Sequence, residues 1–179
     1  MRSICTSIVA MLVLAGMSFA ATINVPADYT TIQAAIDEAS DGDEILVAPG
    51  TYTGTGNEVV DMLGKAITLR ASGTPEETII DGQGARRCVR CNGGIIEGFL
   101  IRNGYTVYEG GGVVANGGGV LKDCVVTGNS GYWGGGIYLN GGDSQIIGCE
   151  VVGNHAVSYG GGIAARGPCG SLIQDTVVR

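Results

Sequence analysis

Three stretches of this sequence follow the same plan, and their repetition limits the possible folds more than any other feature. They are RNGYTVYEGGGVVANGG from Arg102, GNSGYWGGGIYLNGG from Gly128 and GNHAVSYGGGIAARG from Gly153. An asparagine recurs at spacings of 26 and 25 residues, at Asn103, Asn129 and Asn154. Glycine triplets begin at spacings of 24 and 26 residues, at Gly110, Gly134 and Gly160. The repeating unit is therefore about 25 residues long.

Each repeat contains two short runs that alternate with period two, and neither run has helical spacing. After the glycines, we expect two inward columns and one outward column. The inward columns are Val113, Ile137 and Ile163, then Ala115, Leu139 and Ala165, and the outward column is Val114, Tyr138 and Ala164. Before the asparagines, the predicted inward columns are Ile95, Leu121, Ile146 and Leu172, then Gly98, Cys124, Cys149 and Asp175, then Leu100, Val126, Val151 and Val177. Like residues therefore stack on like.

This pattern predicts an all-β chain wound as a right-handed parallel β-helix solenoid, with about 25 residues per coil. In such a fold each coil lays its strands beside those of the previous coil, about 4.8 Å along the axis, and all coils share one core. A leucine-rich repeat has a similar period, but its LxxLxL consensus is missing. The calcium-binding roll is excluded as well, because GGxGxD does not occur in the sequence.

The glycine triplets have two interpretations, a ligand cradle or a structural corner. A phosphate cradle requires a strand before the glycines and a helix after them, and no such helix is predicted. Corners between short strands require positive φ angles and close approach of stacked coils, and glycine allows both. The corner interpretation is favoured, and Asn103, Asn129 and Asn154 then form an inward structural ladder of side-chain amides.

The sequence before the repeats predicts a short helix. Thr30 and Gln33 have the spacing of a capping box, and Ile32, Ala35, Ile36 and Ala39 give one apolar face. A helix before the first coil covers a sheet end that is otherwise open, so we expect it to cap the solenoid. The stretches EILVAPGTY, AITLRAS and ETIIDGQG follow as strands.

Residues 1–20 have the features of a secretory signal peptide: Arg2, an apolar run from Ile8 to Ala15, and small residues at Ser18 and Ala20. We therefore expect an exported β-helix domain over residues 21–179, secreted or at the cell surface, without a transmembrane span after cleavage. The repeats stop partway at Arg179, which predicts a truncated C-terminus and further coils or a further domain in the full-length protein. The net charge of −7 argues against nucleic acid as a partner.

The mature chain has an odd number of cysteines, which does not indicate a disulfide scaffold. Cys88 and Cys91 form a single C-x-x-C whose side chains are expected on opposite faces of a strand, and no second pair stands at zinc-binding spacing. Cys124 and Cys149 stack, and parallel Cβ vectors favour buried thiols over a disulfide. The state of all five stays open: Cys88, Cys91, Cys124, Cys149 and Cys169.

The segment TIQAAIDEASDGDEILVAPGTY, followed by KAITLRASGTPEETIIDGQG, resembles the N-terminal cap and first coils of the pectin-lyase-like β-helix superfamily. This resemblance covers Ile23 to about Gly84 and implies the same fold. The later repeats resemble, more loosely, those of bacterial polymorphic outer-membrane proteins, because Leu100, Val126 and Val151 stand where that family has phenylalanine. The first superfamily contains lyases, esterases, hydrolases and inert surface proteins, so function has to be argued from a site.

No catalytic residue, metal ligand or cofactor is assigned from the sequence. QDTV at Gln174 resembles an esterase motif, but a second motif aspartate is missing and Asp175 is expected to face the core. His155 is expected in a surface turn. A pectate lyase needs acidic calcium ligands on one sheet together with a catalytic arginine or lysine. The candidate residues do not recur in a shared column: Arg102, Arg166, Glu109 and Glu150.

Five aromatic residues lie between the asparagine column and the glycine triplets: Tyr105, Tyr108, Tyr132, Trp133 and Tyr159. On stacked coils they fall along one side. They either pack over the glycine corners or form a carbohydrate-binding surface. The sequence therefore predicts a non-catalytic exported module for adhesion or glycan contact. The alternative is a polysaccharide lyase or pectin-esterase-like enzyme whose active site lies on coils beyond this chain.

Overall fold

The computed structural model describes residues 20–179, which form an all-β parallel solenoid of about six turns with about 25 residues per turn. This confirms the predicted parallel β-solenoid and its period. The signal peptide predicted over residues 1–20 lies, apart from Ala20, outside the described residues.

The solenoid contains one short helix and twenty strands. The helix is α1 (Ile32–Glu38). The strands of the first turns are β1 (Thr22–Val25), β2 (Glu44–Val47), β3 (Gly50–Tyr52), β4 (Glu58–Asp61), β5 (Thr68–Ala71), β6 (Thr78–Asp81), β7 (Arg87–Cys91), β8 (Ile95–Glu97), β9 (Leu100–Arg102) and β10 (Val113–Ala115). The later strands are β11 (Val120–Lys122), β12 (Val125–Thr127), β13 (Ser130–Trp133), β14 (Ile137–Gly142), β15 (Gln145–Ile147), β16 (Glu150–Val152), β17 (His155–Tyr159), β18 (Ile163–Cys169), β19 (Leu172–Gln174) and β20 (Val177–Val178).

The strands form three long parallel sheets, and each full coil contributes one strand to each sheet. Sheet A has the order β1-β2-β5-β8-β11-β15-β19, sheet B the order β3-β6-β9-β12-β16-β20, and sheet C the order β4-β7-β10-β14-β18. Strands β13 and β17 pair separately, in the connections from sheet B to sheet C. Because neighbouring strands come from successive coils, each coil satisfies its backbone amides mainly on the coils before and after it.

Stacked aliphatic side chains fill the core. The fully buried columns are Val89, Val113 and Ile137 in sheet C, Ile96, Leu121 and Ile146 in sheet A, and Ile101, Val126 and Val151 in sheet B. Full burial of such a side chain contributes about 1.5–3 kcal/mol. The predicted columns after the glycines are confirmed, since Val113 pairs with Ile137 and Ile137 with Ile163.

The columns predicted before the asparagines are wrong by one residue at both ends. Ile96 and Ile173, not Ile95 and Leu172, pair into the column of Leu121 and Ile146. Ile101 and Val178, not Leu100 and Val177, pair into the column of Val126 and Val151. At the later end the cause is an irregularity in the pairing of β14 with β18, where Asn140 to Gly142 opposes Arg166 to Cys169 and β18 has one extra residue.

The same shift corrects the prediction that Asp175 faces the core. Thr176 takes the place beside Cys149, whose backbone N–H donates to Thr176 Oγ1 at 3.4 Å. Asp175 is exposed, with a φ of +49°. Phe99, not Gly98, holds the equivalent buried position on the coil before Cys124.

Helix α1 packs against strands of sheets A and C. Ile32, Ala35 and Ile36 are buried, as the apolar face predicted, but its N-cap is Thr31 rather than Thr30. Thr31 Oγ1 accepts the N–H of Ala34 at 3.2 Å, while the side chain of Gln33 turns toward the backbone of Asp61. The expected capping-box pair therefore does not form.

The turn from sheet B to sheet C is organised by Asn129 and Asn154. Asn129 Nδ2 donates to Asn154 Oδ1 and to Ile101 O, each at 3.0 Å, and Asn129 Oδ1 accepts the N–H of Gly104 at 2.7 Å. Asn103 stands one residue earlier in its coil, with a φ of +53°, and donates to the carboxylate of Asp81 instead. The structure therefore brings together two of the three asparagines, and Gly104 has the third place.

The glycine triplets are corners. Gly134 has a φ of +60°, and a Cβ on Gly135 would clash with the backbone carbonyl of His155 on the next coil. A Cβ on Gly134 would clash with the backbone carbonyl of Ile137 in the same coil, so neither position accepts a side chain without a shift of the backbone.

The described cysteine side chains are buried free thiols. Cys124 and Cys149 stack as expected. Cys88 and Cys91 are both buried, so the prediction that they face opposite sides is wrong. Cys88 lies inside the corner, with its Sγ 3.1 Å from Arg102 O, whereas the Sγ of Cys91 points toward Val120 O of the following coil.

We expect Asn129→Ala to lower the free energy of unfolding by about 3 kcal/mol, because it leaves buried backbone groups without partners. Asn103→Gly is the matched control and should cost less than about 1 kcal/mol, since the next two coils carry Gly128 and Gly153 at this place. Equilibrium denaturation in urea measures both. Equal losses would contradict the unequal roles of the two asparagines.

The thiols should resist alkylation while the chain is folded. Burial raises the pKa of Cys91 to about 12 and that of Cys88 to about 12, so both stay protonated at pH 8 and react slowly. In a Cys169→Ser variant of residues 20–179, iodoacetamide should label the remaining four thiols only when denaturant unfolds the chain. Mass spectrometry measures the number of labelled thiols. Rapid labelling in native buffer would contradict the burial of the thiols.

Candidate functional site: an aromatic groove on sheet C

The predicted aromatic residues lie on three connections from sheet B to sheet C, at residues 103–112, 128–136 and 153–162. These connections stack on one another as the strands do. Tyr105 bridges to Ser130 and Glu109 to Trp133, and Trp133 pairs in turn with Tyr159. The connections therefore form a wall along one side of sheet C.

The first cleft lies between this wall and the outward face of sheet C and has a volume of about 590 Å³. Tyr105 and Tyr108 line the wall side. Arg90, Val114 and Tyr138, which are neighbours in the outward column of the sheet, line the floor. Tyr105 and Tyr108 are both exposed, so their side chains are accessible to a ligand.

The second cleft continues along the later coils and has a volume of about 400 Å³. Trp133 and Tyr159 line it, together with Ala164, Ala165 and Arg166 of β18. Tyr138 borders both clefts. The two clefts therefore adjoin at this residue, and we call them together the sheet C groove.

Four of the five aromatic residues singled out in the sequence line the groove, and the fifth supports it. Tyr132 lines neither cleft, but its ring meets that of Trp133 edge to face, with centroids 5.0 Å apart and an interplanar angle of 79°. This geometry is a favourable one for aromatic pairs. Tyr132 thereby restrains the orientation of Trp133.

The central residue of the groove, Tyr138, was not predicted from the sequence as a site residue. Tyr138 belongs to the outward column of sheet C, as predicted, yet only 3% of its surface is exposed. An aromatic residue among outward positions was the available signal. Tyr138 borders two clefts that are also lined by residues of other coils, and no local pattern contains this placement.

The side chain of Arg87 fixes one wall of the first cleft. It is nearly buried, and its Nη1 donates to Glu58 Oε1 at 2.6 Å. Its Nε donates to Gly110 O at 3.0 Å and its Nη2 to Glu109 O at 2.8 Å. Burial lowers the pKa of Arg87, and the neighbouring Glu58 carboxylate opposes this shift. The guanidinium therefore ties the strand β4 side of the cleft to the connection that carries Tyr105 and Tyr108.

Glu58 also binds a second cation. Arg90 Nη2 lies 2.6 Å from Glu58 Oε1, and Arg90 Nε lies 3.5 Å from Asp61 Oδ2. One carboxylate thus receives two guanidinium groups at the edge of the cleft. Such charge-assisted contacts hold side chains in defined positions and prepare a rigid site.

The other residues considered for catalysis do not assemble. Asp175 and His155 are both exposed. Asp175 lies between β19 and β20, whereas His155 lies in β17. Within residues 20–179, no group of three histidine, cysteine, aspartate or glutamate side chains is placed to hold a metal ion. No helix of this described part is long and apolar enough to cross a membrane.

Comparison with known proteins gives one informative similarity. Over 99 residues, 54% of this chain, the sequence is 31% identical to a protein named cell surface glycoprotein from Methanothermus fervidus. The matched segment is 16% of that protein's length. No family model matches the chain, and no solved structure matches it. The similarity is consistent with a surface or secreted location.

We expect Arg87→Met to loosen residues 104–110, because the variant removes the bonds to two backbone carbonyls and leaves Glu58 without its buried partner. The loss of stability should be about 3 kcal/mol. Hydrogen exchange should accelerate in the peptide covering 104–110 more than in sheet A. Arg90→Gln keeps the bonds to Glu109 and Gly110, so exchange there should stay near the wild-type rate. Equal protection of residues 104–110 from hydrogen exchange in both variants would contradict the role of Arg87 in holding this connection.

Proposed function

We propose that this protein is an exported, non-catalytic β-helix module at the cell surface that contacts glycans through the sheet C groove. The observation that carries the proposal is the placement of Tyr105, Tyr108, Trp133 and Tyr159 along two adjoining clefts, with Tyr138 between them. Binding sites are typically concave, with apolar and aromatic walls and a few fixed polar groups.

The chemistry of the walls suits sugar rings. Aromatic side chains offer large flat apolar faces that pack against the C–H faces of a sugar, while their polar edges remain hydrated. Asn116 and Asn140 line the first cleft and provide amide groups for hydroxyls. In the alternative, the rings only pack over the glycine corners. The exposure of Tyr108 and Tyr159 argues against this alternative, because rings that pack over a corner would be covered by it.

Three finer features of the fold belong to this proposal. We infer a right-handed solenoid, since parallel crossover connections are right-handed in nearly all proteins. We infer that α1 caps the first coil, supported by its contacts with β1, β2 and β4 and by Lys65, whose Nζ donates to three carbonyls at the end of the helix, those of Ile36, Asp37 and Ala39. Membership of the pectin-lyase-like superfamily is supported by the resemblance of the first coils.

Export and a surface location are supported by the signal-like residues 1–20 and by the name of the relative from Methanothermus fervidus, a cell surface glycoprotein. The glycan partner is inferred from the groove alone. Assays of the full-length protein for unsaturated products, new reducing ends and released methanol separate this proposal from the alternative enzyme function, because an active site on coils beyond this chain acts only in the full-length protein and a binding module releases none of these products.

The test replaces Trp133. We expect Trp133→Ala to weaken retention on a glycan affinity gel by roughly tenfold, which corresponds to about 1.4 kcal/mol. Trp133→Phe keeps an aromatic face beside Tyr132 and should retain most of the affinity. Circular dichroism and thermal unfolding check that both variants are folded. Unchanged retention by folded Trp133→Ala and Tyr159→Ala on every glycan that binds the wild type would contradict the proposal.

A further inference from the structure

Most basic side chains of the described residues form ion pairs within the protein. Ion pairs hold six of the basic side chains: Arg70 with Glu44, Arg87 and Arg90 with Glu58, Arg102 with Asp81, Lys122 with Glu97, and Arg179 with Glu150. Lys65 instead donates to carbonyls at the end of α1. Within residues 20–179 this leaves two arginines without a carboxylate partner, Arg86 and Arg166.

These two arginines line the groove, one in each cleft. Within residues 20–179 the side chain of Arg86 forms one hydrogen bond, to the amide oxygen of Gln83, with Nη1 3.5 Å from Oε1, at the long limit of a hydrogen bond. Two carboxylates also line the first cleft, Glu58, which is paired with Arg87 and Arg90, and Glu109. The two unpaired arginines give the groove two local positive positions on an acidic protein.

The first cleft also contains unsatisfied polar atoms. Arg86 Nε and Asn116 Oδ1 are both buried and have no hydrogen-bond partner among the described residues. Buried polar atoms without partners are rare in folded proteins, and each one calls for an explanation. A ligand that draws these two side chains toward itself would supply an acceptor for Arg86 and a donor for Asn116.

The two arginines are too far apart for one small anion. Arg86 directly precedes β7 and Arg166 lies in β18, which is three strands further along sheet C. At about 4.8 Å per strand, the separation along the axis alone is about 14 Å. Tyr138 of β14 lies between them and borders both clefts.

We propose that the sheet C groove binds an extended anionic oligosaccharide. One carboxylate or sulfate group contacts Arg86, the chain crosses Tyr138, and a second anionic group contacts Arg166. This inference rests on the proposed glycan contact and adds the charge and the length of the ligand. Guanidinium groups are well suited to it, because their planar donors match both carboxylate and sulfate oxygens.

The first experiment compares charged and neutral forms of one saccharide backbone. Alginate oligosaccharides probe carboxylates, with their carboxyl-reduced counterparts as controls, and dextran sulfate oligosaccharides probe sulfates, with dextran as the control. Isothermal titration calorimetry should show at least tenfold tighter binding of one charged form, and its affinity should fall with added salt. Equal affinity of the charged and neutral forms would overturn the inference and leave the proposed glycan contact standing. Binding of none of the four probes would overturn both.

The second experiment uses charge-matched variants. The ligand is a hexasaccharide of whichever charged form, alginate or dextran sulfate, binds the wild type. Arg86→Gln and Arg166→Gln should each weaken its binding by roughly tenfold, because each removes one charge-assisted contact. Arg70→Gln changes the net charge equally, lies on sheet A, and should leave the affinity within about twofold of wild type. An equal loss in all three variants would indicate a general charge effect and would overturn the specific contacts.

Chain length tests whether one ligand spans both clefts. The wild type should bind the charged hexasaccharide at least tenfold more tightly than the disaccharide, and Arg86→Gln or Arg166→Gln should remove most of this difference. An equal affinity for the two lengths, with two disaccharides bound per chain, would replace the spanning ligand with two separate sites and overturn the proposal.

Discussion

The whole structure depends on in-register stacking of parallel strands from successive coils. A single coil of about 25 residues cannot satisfy its backbone or enclose a core, so each coil is stable only between its neighbours. The stacking requires like residues to lie over like residues, and columns such as Ile101, Val126 and Val151 follow from it. Glycine corners and the Asn129–Asn154 contact keep the turns short enough for this register to continue.

The groove is a secondary product of the same stacking. Connections that would be separate loops in another fold are held side by side, because the strands that they join are held side by side. Arg87 then fixes one connection to the neighbouring strand, and Glu58 holds two guanidinium groups at the cleft edge. The rings are thereby attached to a rigid scaffold, which reduces the entropy that a ligand must remove on binding.

Local periodicity was sufficient to predict the solenoid, the apolar face of α1 and the aromatic side. It failed where the coil length changes: the extra residue in β18 moved Ile173, Thr176 and Val178 into columns assigned to their predecessors. It failed again where contacts join distant residues. Arg87 binds carbonyls 22 and 23 residues further along the chain, and Tyr138 borders clefts that residues of several coils line, so neither role leaves a local pattern. Asn103 fits the repeat in sequence, yet its positive φ gives it a different partner.

The direction of the hydrogen bonds has a mechanical consequence for a protein of this shape. In all three sheets the bonds between coils point along the solenoid axis, because the strands run across it. Tension applied along the axis therefore acts on all the interfaces between coils, which are in series, and pulls each one apart in the direction of its hydrogen bonds. Tension applied across the axis instead loads the bonds of an interface together in shear. The resistance of the protein to force thus depends on the direction in which it is pulled.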